Sequence, residues 1–267
     1  MLLKTVNFYL PANQYVNFAT VNLIIDIGNS YTKAAVFKND DLHYQVRKAG
    51  FNEQDVALIC RKYTLSQAIV SSVSQPADKI LGILSDKLPT KPIILNTTTP
   101  VPLRIKYSTP ETLGADRIAN AVGGKYQFPD KPVLIIDAGT CITYDMVTQD
   151  RTYLGGAISP GLRMRYDAMH HYTRNLPQLS PDNNAVLTGD STQSSMHSGV
   201  LNGIVEEMKG MITRFRDSYP DIEVILTGGD VNYFDKKLKN NIFARPNIVL
   251  TGLNQILKYN FDNSEKI

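Results

Sequence analysis

Apolar residues gather in short runs separated by turn chemistry, and two of those runs spell nearly the same phrase. Leu23-Ile24-Ile25-Asp26-Ile27-Gly28 recurs as Leu134-Ile135-Ile136-Asp137-Ala138-Gly139. Each copy ends in Asp-x-Gly, continues through a small polar residue, and enters a second alternating run. The first continues Asn29-Ser30-Tyr31-Thr32-Lys33-Ala34-Ala35-Val36-Phe37, the second Thr140-Cys141-Ile142-Thr143-Tyr144-Asp145-Met146-Val147. Both read as a strand, a tight turn carrying a carboxylate, and a strand folding back. A duplicated hairpin with an acid at its tip implies two similar lobes facing one cleft. Such a cleft suits a nucleotide held between lobes.

The spacing predicts an antiparallel meander over 23–27, 33–37 and about 41–47. Helix and strand then alternate, with helix at 53–62, strand at 67–73, helix at 76–88 and strand at 92–96. Asn96 to Pro102, rich in Thr and Pro, reads as loop. A helix opens at Ser108-Thr109-Pro110-Glu111, where Thr109 can cap, Pro110 suits the first helical position and Glu111 suits the dipole. It is expected to run through about Tyr126. Pro129-Asp130-Lys131-Pro132 then breaks the chain. Strands at 133–138, 141–148 and 153–158 repeat the meander. Helices follow over about 161–175 and 191–218, then a strand at 223–226 and helices near 231–238 and 252–260. The tail from Asp262 to Ile267 reads as frayed. This divides the chain into residues 1–20, a first lobe over 21–130 and a second over 131–262.

Composition narrows the function classes. The net charge of +3 is spread along the sequence, with no Lys/Arg block to mark a nucleic-acid groove. The two cysteines, Cys60 and Cys141, have no metal-type spacing and make no disulfide framework. They read as core residues of a cytoplasmic protein. No apolar run is long enough for a membrane span, and the first twenty residues lack signal-peptide character. His43, His170, His171 and His197 have no metal-ligand partners in register. Neither a Walker-type phosphate loop nor Gly-x-Gly-x-x-Gly is present, so any phosphate cradle must be of another kind.

The two hairpin tips are the first candidates for that cradle. Gly28 permits a turn that brings backbone N–H groups near an anion, and Asn29, Ser30 and Thr32 add donors. Lys33 supplies a positive charge suited to a phosphate. A carboxylate beside a phosphate is repulsive unless a metal bridges them, so Asp26 implies Mg²⁺. One such turn is more simply a hairpin turn, but two copies after near-identical strands reverse that judgement. In the second copy Thr140 can donate to a phosphate and Asp137 can hold a cation. Asp145, further along, reads as a surface or turn-facing acid. Gly114-Ala115-Asp116-Arg117 falls inside the helix opened by Pro110. An interior Gly disfavours a helix by about 1 kcal/mol relative to Ala, which close approach of a ligand would explain. Asp116 in a cleft beside a basic residue can accept a hydroxyl proton; a surface ion pair is the plainer reading. Gly155-Gly156-Ala157-Ile158-Ser159-Pro160-Gly161 reads as a strand running into a turn. The glycines of Thr227-Gly228-Gly229-Asp230 suit close approach of an adenine or ribose.

Taken in order, these motifs resemble the type III pantothenate kinases of the acetate and sugar kinase and actin superfamily. The resemblance runs from about Asn22 to about Leu257. Asp26 to Lys33 resembles the family's first phosphate motif, Gly114-Ala115-Asp116-Arg117 its pantothenate-side motif, and Asp137-Ala138-Gly139-Thr140 its second phosphate motif. The stretch Gly155 to Gly161, with Leu176-Pro177 downstream, and Thr192-Gln193-Ser194-Ser195-Met196-His197-Ser198-Gly199 resemble further family segments. What this implies is an α/β, two-lobed actin-like ATPase fold (ribonuclease H-like), with a duplicated mixed β-sheet and flanking helices. It also implies ATP-dependent phosphorylation of pantothenate to 4′-phosphopantothenate, the first step of coenzyme A biosynthesis. Asp116 would be the base. Asp26, Ile27, Gly28, Asn29, Ser30, Tyr31, Thr32, Lys33 and Thr140 would hold ATP with Mg²⁺. Tyr107, Gly114, Ala115, Asp116, Arg117 and Thr192 would contact pantothenate. Asp137 would bind a monovalent cation, K⁺ or NH₄⁺. A homodimer with substrate near the subunit interface is implied too, through 191–215 or the helix at 161–175. A sugar kinase of the same superfamily would share the duplicated hairpin but should lack Gly-Ala-Asp-Arg here. A non-catalytic relative would have no need for Asp26, Asp116 and Asp137 together.

Relatives of this kind begin almost at the first strand, whereas Met1 to Thr20 precede Val21 here. Those residues show no clear period, and Pro11-Ala12-Asn13-Gln14 breaks them. The expectation is that Val21 marks the true start and that residues 1–20 come from a misplaced initiation site.

Overall fold

Around each copy of the repeated phrase a sheet forms, and the two sheets share one topology. The computed structural model describes residues 20–72, 77–183, 185–238 and 242–264. The stretch before Thr20, the end of the fourth predicted strand at 73, the start of the following helix at 76 and the tail at 265–267 lie outside the described residues.

In the first sheet β1 (Val21–Ile27), β2 (Thr32–Lys38) and β3 (Asp41–Lys48) form the expected antiparallel meander. Past α1 (Glu53–Lys62), β4 (Gln67–Ser72) joins β1 in parallel; past α2 (Asp78–Lys87), the short β5 (Ile93–Ile94) joins β4. The order is β3-β2-β1-β4-β5. The second sheet repeats it. A meander of β7 (Val133–Ala138), β8 (Cys141–Val147) and β9 (Thr152–Pro160) is extended in parallel by β10 (Glu223–Thr227) and β11 (Ile242–Ala244). One addition, β6 (Arg104–Ile105), lies outside β9. The duplication seen in the sequence is therefore a duplication of topology.

Between the sheets run α3 (Ala115–Gln127) and α7 (Ile248–Ser264). β1 shows why. Leu23 and Ile25 face α1 and α2 with Val56, Ile59 and Leu84, while Ile24 faces the other way with Ala35, Phe37 and Ile69. On that inner side the same core takes in Ile118, Ala119 and Val122 of α3, Leu250, Leu253 and Leu257 of α7, and Val133 and Ile135 of the second sheet. A strand buried on both faces reads as a continuous apolar run, which β1 and β7 do. The two helices nearly touch: a Cβ on Gly252 would fall 1.8 Å from the Ala119 carbonyl oxygen. A buried amide pair, Asn22 Nδ2 donating to Asn254 Oδ1 at 2.8 Å, fixes α7 to β1. The outer face of the second sheet is covered by α4 (Leu162–Tyr172), α5 (Thr192–Ser218) and α6 (Val231–Phe234), through Leu201, Ile204 and Phe234.

Several expectations need correction. The helix from Pro110 is two elements: a 3₁₀ turn over Pro110–Thr112, an extended Leu113, and α3 from Ala115. Gly114 is the N-cap of α3, not an interior position. The helix expected at 231–238 is four residues long. The last helix starts at Ile248, four residues early, and continues to Ser264 instead of fraying from Asp262. β6, with only two residues, and β11, with three, are too short for a periodic signal.

Candidate active site

The first tip is closed by Gly28 N–H donating to the Tyr31 carbonyl at 3.1 Å, and the second by Gly139 N–H donating to the Cys141 carbonyl at 2.9 Å. Asn29, Ser30, Tyr31 and Thr140 are exposed at these tips, while Ile27 and Thr32 are buried. Asp26 sits one step inside, 8% exposed, between Ser71 of β4 and Lys33 of β2 in direct cross-strand register. Its Oδ1 is buried and has no hydrogen-bond partner. Asp137 takes the matching place in β7, opposite Thr143, and its Oδ2 accepts from Asn120 Nδ2 at 2.7 Å.

The tips face each other across α3. Asn120 follows Asp116 by one helical turn, so the two share a face. The charged groups at the two tips influence one another. Burial raises the Asp26 carboxyl from 3.8 to about 6; Lys33 opposes the rise, and Asp116 and Asp137 add to it. Burial likewise lifts Asp137 to about 6, against Lys33 and the Asn120 hydrogen bond, with Asp116 and Asp145 adding to the rise. Lys33 thus acts on both hairpin acids, and Asp116 repels both.

Gly114 also meets a constraint from within the chain. A Cβ there would lie 2.5 Å from Asp116 Oδ1. The glycine leaves room for the carboxylate of Asp116, whose Oδ1 accepts from the Arg117 backbone N–H at 2.8 Å. Arg117 is no surface partner of Asp116. It is 7% exposed, and its Nε and Nη2 reach Asp145 Oδ1 at 2.9 and 2.8 Å. Asp145 is therefore not a surface acid: it is fully buried and also accepts from Tyr153 Oη at 2.7 Å and Thr143 Oγ1 at 3.0 Å. Tyr107 completes this cluster, its ring 6.2 Å from that of Tyr153 and 5.9 Å from the Arg117 guanidinium carbon. Gly155, at φ +88°, makes room for the Tyr107 ring, to which a Cβ would come within 2.9 Å. Alternation in β8 gave the signal for Asp145, since it shares a strand face with Thr143, opposite the apolar face of Ile142, Tyr144 and Met146.

Two further predicted residues differ in placement. Thr192 is exposed at the first turn of α5, in an open hollow lined by Met169, Leu176, Asp190 and Met196 but not by Tyr107, Asp116 or Arg117. Gly228, at φ +102°, packs against the second tip, where a Cβ would meet the Ala138 carbonyl oxygen at 2.2 Å.

A sequence profile of the type III pantothenate kinases matches residues 22–214. The chain belongs to this family. Proteins described as type III pantothenate kinase from Phocaeicola vulgatus and Christiangramia forsetii are 43% and 44% identical to it, each covering 90% of this chain and 99% of its own length. Solved structures with the same fold include a Baf family protein from Campylobacter jejuni, described as a transcriptional activator (TM-score 0.60, 20% identity, 90% of this chain and 99% of its own). A ROK hexokinase from Thermus thermophilus is another (TM-score 0.53, 12% identity, 91% of this chain and all of its own). The fold is thus the two-lobed actin-like one. Among the described residues, no helix is long and apolar enough to cross a membrane.

The raised carboxyls make a stability prediction. A folded-state pKa above the unfolded one favours folding while the group is protonated, and that stability is lost as pH rises from 3.8 through about 6. Asp26→Asn should therefore raise the melting temperature of the ligand-free protein at pH 7.5 and flatten its fall between about pH 4 and 6. Thermal melts across that range check this; a variant less stable than wild type at pH 7.5 would refute it.

Proposed function

We propose that the cleft between the two tips aligns MgATP for attack by the primary hydroxyl of pantothenate, with Asp116 as the base. The reaction is that of the family: ATP-dependent phosphorylation of pantothenate, the first step of coenzyme A biosynthesis. One arrangement carries the residue assignment: Asp26 pairs directly with Lys33 across the first hairpin, and Asp137 of the second is bonded to Asn120, one helical turn from Asp116. Phosphoryl transfer asks mainly for alignment and charge stabilisation. Lys33, the tip N–H groups and the hydroxyls of Ser30, Thr32 and Thr140 supply donors for the phosphates. Asp116 takes the hydroxyl proton as the new O–P bond forms and ADP leaves with the bridging oxygen.

The donor set suits both ions. Asp26 Oδ1 is an orphaned buried oxygen of the kind Mg²⁺ accepts. Among the described residues no three acidic, His or Cys side chains could hold a metal together. That fits Mg²⁺, which commonly takes one or two carboxylates and completes its shell with phosphates and water. Bound there, it would neutralise charge on the phosphates. For a monovalent cation, Asp137 has a second oxygen beside it, since Asn120 Oδ1 is buried and unpartnered. On the pantothenate side we assign Tyr107, Gly114 to Arg117 and Thr192. The separation of Thr192 from the others supports a homodimer in which a second copy approaches the site, and light scattering checks its mass. The free thiols of Cys60 and Cys141 suit the cytoplasm.

A coupled ADP-release assay over pantothenate, its hydroxyl analogues and hexoses, in Na⁺ or K⁺, tests the reading. Turnover is expected with pantothenate and more of it in K⁺. Turnover with hexoses instead would overturn the substrate, and equal rates in both salts would remove the cation from Asp137.

A further inference from the structure

One row of the first sheet crosses four strands through directly paired residues: Ser71 of β4, Asp26 of β1, Lys33 of β2 and Arg47 of β3. Directly paired residues share a face. This is the inner face, whose apolar members Ile24, Ala35 and Ile69 look toward α3 and α7. β3 itself alternates accordingly, with Tyr44 and Val46 packed toward α1 and Arg47 on the cleft side. Second in the row is a buried acid whose Oδ1 lacks a partner, and the row ends in two adjacent cations. Like charges directly opposite on neighbouring strands are destabilising unless an anion lies between or over them. Asp26 offsets Lys33 from one side but lies two strands from Arg47.

The surroundings of Arg47 keep its guanidinium in place. Its carbon lies 4.0 Å from the ring centroid of Tyr31, the exposed residue of the first tip. Across the cleft, Gly229 of the second lobe comes so close that a Cβ would stand 3.1 Å from Arg47 Nη2. Burial raises the neighbouring Asp230 carboxyl, while Arg163 and Arg47 hold it back. Arg47 therefore spans the mouth of the cleft, supported by Tyr31 from below and by a side-chain-free turn opposite.

We infer that Arg47 is a nucleotide-binding residue, the outer of two cations that hold the polyphosphate of ATP, with Tyr31 orienting its guanidinium. The inference rests on the cleft being the ATP site. Neighbouring strands are about 4.8 Å apart, so Lys33 and Arg47 together reach beyond one phosphate group. A planar guanidinium stacked on a ring presents its N–H edge to phosphate oxygens in fixed orientation.

The test is steady-state kinetics of Arg47→Ala and Arg47→Lys with titration of MgATP and Mg-tripolyphosphate into each protein. Arg47→Ala should raise KM for ATP by about tenfold, the loss typical of one hydrogen bond to a charged group. KM for pantothenate and kcat should stay within twofold. Arg47→Lys should recover part of the loss, and binding of tripolyphosphate should weaken in parallel with ATP. An unchanged KM for ATP overturns the inference, and so does an equal rise in both KM values with a lowered melting temperature, which would mean a structural bridge. Loss for ATP but not for tripolyphosphate would overturn the phosphate contact in favour of the base. Lys33→Ala separates the two levels: if it weakens ATP while Arg47→Ala does not, the inference fails and the cleft assignment stands. If neither variant does, the assignment itself fails.

Discussion

Asp116→Asn should lower kcat by about 10²-fold or more while leaving the fold and ATP binding intact. Asparagine keeps the oxygen that accepts from the Arg117 backbone N–H, so this local bond in the first turn of α3 is retained. It also fits the space that Gly114 leaves open, because side-chain volume hardly changes. What disappears is the proton acceptor. Removing this negative charge also relieves the repulsion that helps raise Asp26 and Asp137. MgATP affinity should therefore hold or rise. ADP release, calorimetric titration of MgATP and far-UV circular dichroism measure the three quantities. Near-normal turnover would remove Asp116 from its role as base, and a simultaneous collapse of ATP binding would make it part of the nucleotide site.

The contrast between what the sequence showed and what it hid follows from the range of the forces involved. Both meanders, the Asp-x-Gly tips and the long α5 are local features, written as period and turn chemistry, and they fold as read. The shared strand order of the two sheets follows from that repeat. Contacts between distant segments left weaker traces. Gly114 read as an interior helix residue because nothing nearby reveals the extended Leu113 that separates the 3₁₀ turn from α3. The constraint the structure adds lies two residues on, at the Asp116 carboxylate. Asp145 read as a turn-facing acid because its partner, Arg117, is 28 positions back. Alternation along β8 puts Asp145 on the face of Thr143, but only the packing of α3 against that face shows that it is buried. Arg47 lies on an edge strand with mixed polarity, and only register ties it to Lys33 and Asp26. Thr192 and Tyr107 show the same limit from the other side, since a motif names residues without saying whether one subunit brings them together.

The largest expected loss of stability lies at Asp145. Asp145→Ala should destabilise the protein by about 3–5 kcal/mol, because breaking a buried ion pair leaves the other charge uncompensated. Here that charge is Arg117, 7% exposed and bonded twice to one carboxylate oxygen. Tyr153 and Thr143 would lose their acceptor at the same time. At about 2–4 °C per kcal/mol for a domain of this size class, the melting temperature should fall by about 6–20 °C. Tyr153→Phe removes one donor and keeps the pair, so its loss should stay near 1 kcal/mol. Arg117→Met combined with Asp145→Leu replaces the pair by apolar side chains of similar volume, a change that is often neutral or stabilising. That double variant should melt near the wild-type temperature yet turn over poorly, because the Arg117 guanidinium assigned to the pantothenate side is gone. Chemical denaturation and ADP release on the three proteins decide the matter. If Asp145→Ala unfolds within 1 kcal/mol of wild type, the network is not holding a desolvated charge. If the double variant is fully active, the ion pair serves only the fold, and Arg117 takes no part in binding pantothenate.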